Sequence, residues 1–220
     1  DQAMKAGFGW ELGPFEIWDA IGTQSAYETA IELGKDIAPW VKEMLDQGTS
    51  SFYQVEVDSM NYFDKEEKQY KSLPNQEALI DLYVRKKVNT IWKSDVASLI
   101  DLGDAVVNLE FHSKMNAIGG DTLQAIQHAI DLTEDNYKGL VIANQGQNFS
   151  VGANLTMIFM MAVEQEYDEL NMAIKHFQDT VMRLRYSSIP TVVASQGMTL
   201  GGGCEMTLHA DRVVAAAESY

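Results

Sequence analysis

The stretch TVVASQGMTLGGGCEM, Thr191 to Met206, joins a β-branched strand pattern to three consecutive glycines and then to Cys204 and Glu205. Glycine lets a backbone come close to a ligand and adopt positive φ without penalty. Three of them, opening onto a predicted helix at Cys204 to His209, leave amide N–H groups unpaired at the positive end of a helix dipole. Such a place can hold an anion, or the oxygen on which negative charge develops in a transition state. It is not a nucleotide loop, because no Lys-Ser or Lys-Thr follows it and GxGxxG is missing. The competing reading is a tight strand-to-helix turn packed against a neighbour.

A second place shares this design. After the apolar strand pattern KGLVIAN comes QGQNFSVGANL, in which Gly152 and Ala153 precede a helix, as Gly202 does after TVVAS. Each turn directs backbone amides to the end of a parallel sheet, where α/β folds bind ligands. Two convergent N–H donors make an oxyanion hole. A thioester carbonyl held there takes on enolate character, and a carboxylate such as Glu205 could move a proton or activate water at the neighbouring carbon.

Other constellations are weaker. Glu205 and His209 are four apart, but no second acid or histidine cluster accompanies them, so no metal site is expected. Ser150 or Ser195 could be combined with one of the four histidines, yet no GxSxG supports a hydrolase. Cys204 is read as a small packing residue rather than a nucleophile. The methionines from Met157 to Met161 are core or an acyl-chain wall, with core favoured. Glu164, Glu166, Asp168 and Glu169 form a solvated helix face.

The elements that must carry these residues change character along the chain. From Asp1 to about Val84 the pattern is mostly helical. Gly13-Pro14 opens and Gly22 closes a short helix, Thr23 caps one from about Gln24 to Leu33, and Pro39 starts another from Ala38 to Leu45. SFYQVEVDSMNYFDKEEKQYKSL is expected to form short strands or a hairpin, as a decorative surface meander. NQEALIDLYVRKK follows as an amphipathic helix or a connector. From Val96 strands and helices alternate: a hairpin over Gly103 and Asp104, a helix capped by Asp121 with Leu123, Ile126, Ile130 and Leu132 inward, and the strand KGLVIAN. A long helical region from about Leu155 to Tyr186, the strand TVVAS, the glycine turn with its helix, and the strand DRVVAAA complete an α/β pattern.

The 220 residues carry 16 Lys plus Arg against 32 Asp plus Glu, a net charge of −16. That balance argues against nucleic acid as a partner; the one local basic cluster is Arg85, Lys86 and Lys87. One cysteine excludes an intramolecular disulfide and suits a reducing compartment. No apolar run reaches the roughly 18 residues a membrane span needs, and the first residues lack a signal-peptide pattern. A cytoplasmic chain without membrane contact is expected, with both ends cut from something longer.

FSVGANL, followed further on by GMTLGGGCEM and preceded by FHSKMNAIGGDTLQAI, resembles the crotonase (enoyl-CoA hydratase/isomerase) family over about Ala97 to Tyr220. The opening GFGWELGPFEIWDAIG resembles the C-terminal helical domain of 3-hydroxyacyl-CoA dehydrogenases. In tandem the two resemble an internal part of a bacterial multifunctional fatty-acid β-oxidation protein. The resemblance implies an α+β chain: an all-α-like domain at 1–88, then a truncated α/β crotonase-like domain at 89–220. It implies oxyanion N–H groups from Ala153 and Gly202, with Gly152 and Gly201 against the substrate and Glu205 as the first catalytic glutamate. The family's second glutamate would lie beyond Tyr220, so the chain alone is expected to be inactive. Asn154 departs from the Asp common after the Gly-Ala pair. No cofactor is expected in these residues, NAD belonging to a dehydrogenase domain before Asp1. The expected partners are an acyl-CoA substrate and further copies of the chain in a homo-oligomer. Two other readings stand beside this one, a non-catalytic acyl-CoA-binding or oligomerisation module and an enoyl-CoA isomerase.

Overall fold

The computed structural model describes residues 1–56, 59–74 and 80–220. The chain divides into two compact units, Asp1–Leu79 and Ile80–Tyr220.

The first unit begins with four helices, α1 (Gln2–Phe8), α2 (Pro14–Ile21), α3 (Thr23–Glu32) and α4 (Pro39–Asp46). Pro14 and Pro39 stand in first turns, where the missing N–H costs no helical bond. Three strands follow, β1 (Tyr53–Glu56), β2 (Ser59–Asp64) and β3 (Gln69–Ser72), paired antiparallel in that order. Thr23 is not a cap as expected; it is the first residue of α3, buried, and its hydroxyl donates to Asp19 Oδ1 at 2.7 Å. The same carboxylate accepts the N–H groups of Phe52 and Tyr53, both at 2.8 Å, and so ties α2 to the start of the sheet. Phe52 is buried with Val41 and Met44, and the rings of Phe15, Trp18 and Trp40 surround it, Phe15 at 4.8 Å between centroids. The expected surface meander therefore supplies part of the core, because its aromatic residues cover the helices' apolar faces.

The second unit opens with α5 (Leu82–Val88), whose first turn is capped by Asp81 Oδ1, accepting from Tyr83 N–H at 2.9 Å. Leu82 and Val84 are buried, and α5 packs on the following strands. For that reason the units part between Leu79 and Ile80, earlier than the boundary expected at 88. Of the expected basic cluster, Lys86 pairs with the buried Glu110 at 2.6 Å and Lys87 lies 4.2 Å from the Tyr83 ring centre.

The main sheet contains β4 (Thr90–Lys93), β5 (Ala97–Gly103), β6 (Val106–Phe111), β7 (Gly139–Ala143), β8 (Thr191–Ser195) and β9 (Arg212–Ala215), adjacent in chain order. The first three are antiparallel; β6 to β9 run parallel, with Val106 opposite Gly139, Leu140 opposite Thr191 and Val192 opposite Arg212. Parallel neighbours need crossovers. These are α6 (Gly120–Asn136), then α7 (Leu155–Val163) with α8 (Tyr167–Arg185), then α9 (Gly202–His209). One sheet face, with Leu99, Leu109, Leu140, Ile142 and Val193, packs on Leu123, Ile126 and Ile130 of α6 and on Val181 and Leu184 of α8.

Three local expectations change. The hairpin turn lies at Asp104 and Ala105, both with positive φ. Asp121 sits in the first turn of α6, whose cap is Gly119. The helical region expected from about Leu155 to Tyr186 is made of two helices, parted where Gln165 takes φ 59° between α7 and α8. None of the α7 residues is buried, so Met157 and Met160 are exposed and not core. No helix among the described residues is long and apolar enough to cross a membrane.

Helices α6 and α8 are bridged by Arg183, which bonds Asp131 at 2.9 Å and grips both carboxylate oxygens of Glu134; Ser188 N–H adds a bond to Glu134 at 2.7 Å. The Arg183 guanidinium, then the Ser188 amide, hold the Glu134 carboxyl at about 2. A carboxylate depressed in the folded state contributes stability that is full above its ordinary pKa of 4.5 and is lost as pH falls towards 2. Glu134→Gln is therefore expected to flatten acid unfolding followed by circular dichroism between pH 4.5 and 2. The same variant is expected to lower Tm slightly at pH 7, since the pair is partly exposed.

Candidate active site

Three loops meet at the carboxyl ends of β6, β7 and β8, and their backbones continue the sheet irregularly beyond the strands. Asn144, just after β7, accepts Phe111 N–H through Oδ1 and donates through Nδ2 to the Phe149 carbonyl, both at 2.7 Å. Gln196, just after β8, donates to the carbonyls of Asn144, at 2.9 Å, and Gly146. Beyond these amides, Ser150 and Thr199 form a parallel bridge, as do Ile118 and Ala153.

That pairing brings the two glycine turns into direct contact. Gly152 has φ 84°, and a side-chain carbon there would lie 2.6 Å from the Leu200 carbonyl oxygen and 2.9 Å from the Gly202 nitrogen. Only a residue without Cβ fits between these backbones. Gly202 is confined from the other side: a Cβ would fall 2.5 Å from Phe177 Cζ on α8.

The peptide planes fix where the N–H groups point. The Gly152 carbonyl accepts Ile118 N–H at 2.8 Å, and the peptide is trans, so Ala153 N–H faces the opposite way. The Gly201 carbonyl accepts Glu205 N–H at 3.0 Å in the first turn of α9, which directs Gly202 N–H away from the helix body. Among the described residues no hydrogen bond engages Ala153 N–H or Gly202 N–H. By contrast Gly152 N–H is consumed by Ser150 Oγ at 3.0 Å. Gly201 has φ 49° and forms the cap that turns the chain into α9.

Glu205 lies one turn after Gly202 on α9, and its side chain is exposed. Residues three apart share a helix face, and side chains lean towards the helix N-terminus, so this carboxylate leans to the side of the Gly202 amide. No hydrogen bond or ion pair holds it among the described residues. His209 Nδ1 donates to the Glu205 carbonyl at 2.6 Å at the end of α9. Among the described residues there is no cluster of three or more His, Cys, Asp or Glu able to hold a metal ion. Asn154 Oδ1 caps α7 by accepting from Thr156 N–H at 3.1 Å, a role an Asp would fill equally well. Cys204 is exposed in the first turn of α9, contrary to the packing role expected of it.

A serine–histidine pair exists elsewhere: Ser98 Oγ lies 2.7 Å from His112 Nε2. Ser98 is fully buried. Burial, followed by the charge of Lys86, holds the His112 imidazole below the usual histidine range. The serine is thus enclosed, while the imidazole is half-buried. Sequence reasoning did not find Phe177, Asn144 or Ile118, whose contribution comes through long-range contacts that no local spacing announces.

Residues 101–220 match the family described as Enoyl-CoA hydratase/isomerase. A Bacillus subtilis protein named Probable 3-hydroxyacyl-CoA dehydrogenase is 51% identical over 221 aligned residues, covering 100% of this chain and 28% of its own length. A fatty acid oxidation complex subunit alpha from Colwellia psychrerythraea is 32% identical over 127 residues, 56% of this chain and 17% of its own length. The chain thus spans under a third of the curated relatives it matches. Among solved structures, an enoyl-CoA hydratase from Shewanella pealeana superposes with TM-score 0.52 at 20% identity, over 56% of this chain and 48% of that one. One from Polaromonas does so with TM-score 0.52 at 24% identity, over 56% and 49%. The second unit is thereby a crotonase-type α/β fold. The chain belongs to the enoyl-CoA hydratase/isomerase family.

Proposed function

We propose that the protein containing this chain adds water across the double bond of 2-enoyl-CoA thioesters, with Ala153 N–H and Gly202 N–H binding the thioester oxygen. The observation that carries this reading is the pair of unengaged amides on two turns in backbone contact. In hydration, the oxygen of water bonds to C3, the C2–C3 π electrons move onto the thioester oxygen as an enolate, and C2 then takes a proton. Glu205 would accept the proton of the attacking water or orient it. A second carboxylate, supplied from outside residues 1–220, would complete proton delivery to C2. Gly201 leaves room for the thioester by carrying no side chain, while the bare Cα of Gly152 admits the turn that brings Gly202 N–H alongside.

On the same reading the parent also oxidises the 3-hydroxyacyl product. The name of the Bacillus subtilis relative, which matches across both units, supports that fusion. NAD would then bind a domain outside these residues. The exposed Leu155, Phe159 and Val163 on α7 support self-association or contact with an acyl chain, and a cytoplasmic homo-oligomer fits the charge and cysteine content.

The test is hydration of crotonyl-CoA, followed as loss of enoyl absorbance, by the full-length protein and by residues 1–220 separately. Turnover by the full-length protein with little by the isolated chain is expected. Full turnover by the isolated chain would remove the second carboxylate from the scheme, and none by the full-length protein would remove the hydratase reading.

A further inference from the structure

We infer that Ser150 is a positioning residue that sets the oxyanion hole, an inference that rests on the reading of Ala153 and Gly202 given above. Ser150 is fully buried and uses every hydrogen-bonding group it has. Its N–H donates to the Met198 carbonyl at 3.0 Å, and its carbonyl accepts Leu200 N–H at 2.9 Å, which ties it to the turn leading into α9. Its hydroxyl donates to the Asn116 carbonyl at 2.6 Å, on the loop after β6. The same oxygen accepts Gly152 N–H at 3.0 Å. One residue, through its backbone and its hydroxyl together, therefore joins all three loops whose ends meet at the site.

The consequence for the donors is directional. By taking Gly152 N–H, the hydroxyl fixes the peptide plane before Gly152, while Ile118 fixes the plane after it, so the N–H left unengaged is that of Ala153. Gly203 packs on this residue so closely that a Cβ there would lie 2.8 Å from Ser150 Cβ, which sets the first turn of α9 and with it Gly202 N–H. The Asn116 end of the clip is a constrained one: Met115 and Asn116 both have positive φ, at 58° and 53°, costly for side-chain-bearing residues. A hydroxyl bond to the carbonyl of the second holds that loop in place and with it Ile118. Threonine would bring an extra methyl against Gly203, and alanine would release two of the four bonds.

The test uses the full-length protein with Ser150→Ala, Ser150→Cys and, in parallel, Glu205→Gln. Three readouts are taken: kcat for crotonyl-CoA, Kd for saturated butanoyl-CoA, and the absorption band of bound cinnamoyl-CoA, which moves to longer wavelength as its carbonyl is polarised. For Ser150→Ala the expected result is a loss of about ten- to a hundredfold in kcat, since the donors are displaced and not deleted. Butanoyl-CoA binding should hold within about twofold, the cinnamoyl shift should shrink, and the thiol of Ser150→Cys should recover part of both. Wild-type kcat and a full band shift in Ser150→Ala would overturn the inference, as would equal losses in kcat and in butanoyl-CoA binding with the band shift unchanged. If Ser150→Ala does not fold, Ser150→Cys decides: a reduced shift supports positioning, and a full shift at wild-type rate overturns it. A loss in Ser150→Ala while Glu205→Gln turns over normally would keep the positioning and discard the role of Glu205.

Discussion

Glu205→Gln in the full-length protein is expected to lower crotonyl-CoA hydration by about two to four orders of magnitude, the usual range for one general acid–base group. Gln matches the shape of Glu but cannot take a proton from water. The carboxylate is exposed on the first turn of α9 and held by no other side chain among the described residues, so the substitution breaks no internal bond. Kd for a saturated acyl-CoA should therefore stay within about twofold, placing the loss in kcat. Unchanged turnover would take Glu205 out of the chemistry, and a matching loss of binding would make it a substrate-holding residue.

Alanine at Gly152 and at Gly202 should both reduce kcat, by about a hundredfold if a donor is effectively lost, yet only one should be repairable. At Gly152 the added carbon meets the Leu200 carbonyl and the Gly202 nitrogen, which are backbone atoms, and φ 84° adds strain of about 1–2 kcal/mol. No side-chain change can relieve that. At Gly202 the obstacle is the Phe177 ring alone. Phe177→Leu removes the colliding ring, so Gly202→Ala with Phe177→Leu is expected to regain at least part of the activity. By itself Phe177→Leu should cost about 1–2 kcal/mol in packing. Steady-state kinetics with thermal unfolding of these four variants and of Gly152→Ala with Phe177→Leu checks this, and equal rescue at both glycines would refute the distinction.

Much of the second unit was legible in the sequence because its signals are local. The runs KGLVIAN and TVVAS are short, apolar and bounded, and they form the parallel pair β7 and β8. The glycine turns were legible for the same reason, since only glycine meets their steric demands. Ser150 reads in the sequence as a candidate nucleophile beside a glycine turn; its four bonds reach Asn116, Gly152, Met198 and Leu200, and no spacing rule links those positions. Phe52 was hidden similarly, in a segment whose polar turns suggested surface, while its ring fills the first unit's core. The break between α7 and α8 rests on one left-handed Gln165, a residue with no special preference for that conformation.

The strand connections also impose an order of assembly. β5 and β6 close across Asp104 and Ala105 alone, whereas joining β7 to β8 requires the stretch from Asn144 to Pro190, with two helices in it, to be spanned first. Loop-closure entropy makes the hairpin early and the parallel pairing late. Ala153 and Gly202 sit on opposite sides of that late pairing. A folding intermediate that has the hairpin and α6 in place, but not β8, would contain most of the core without facing amides. Recovery of thioester polarisation during refolding should accordingly lag recovery of helical signal.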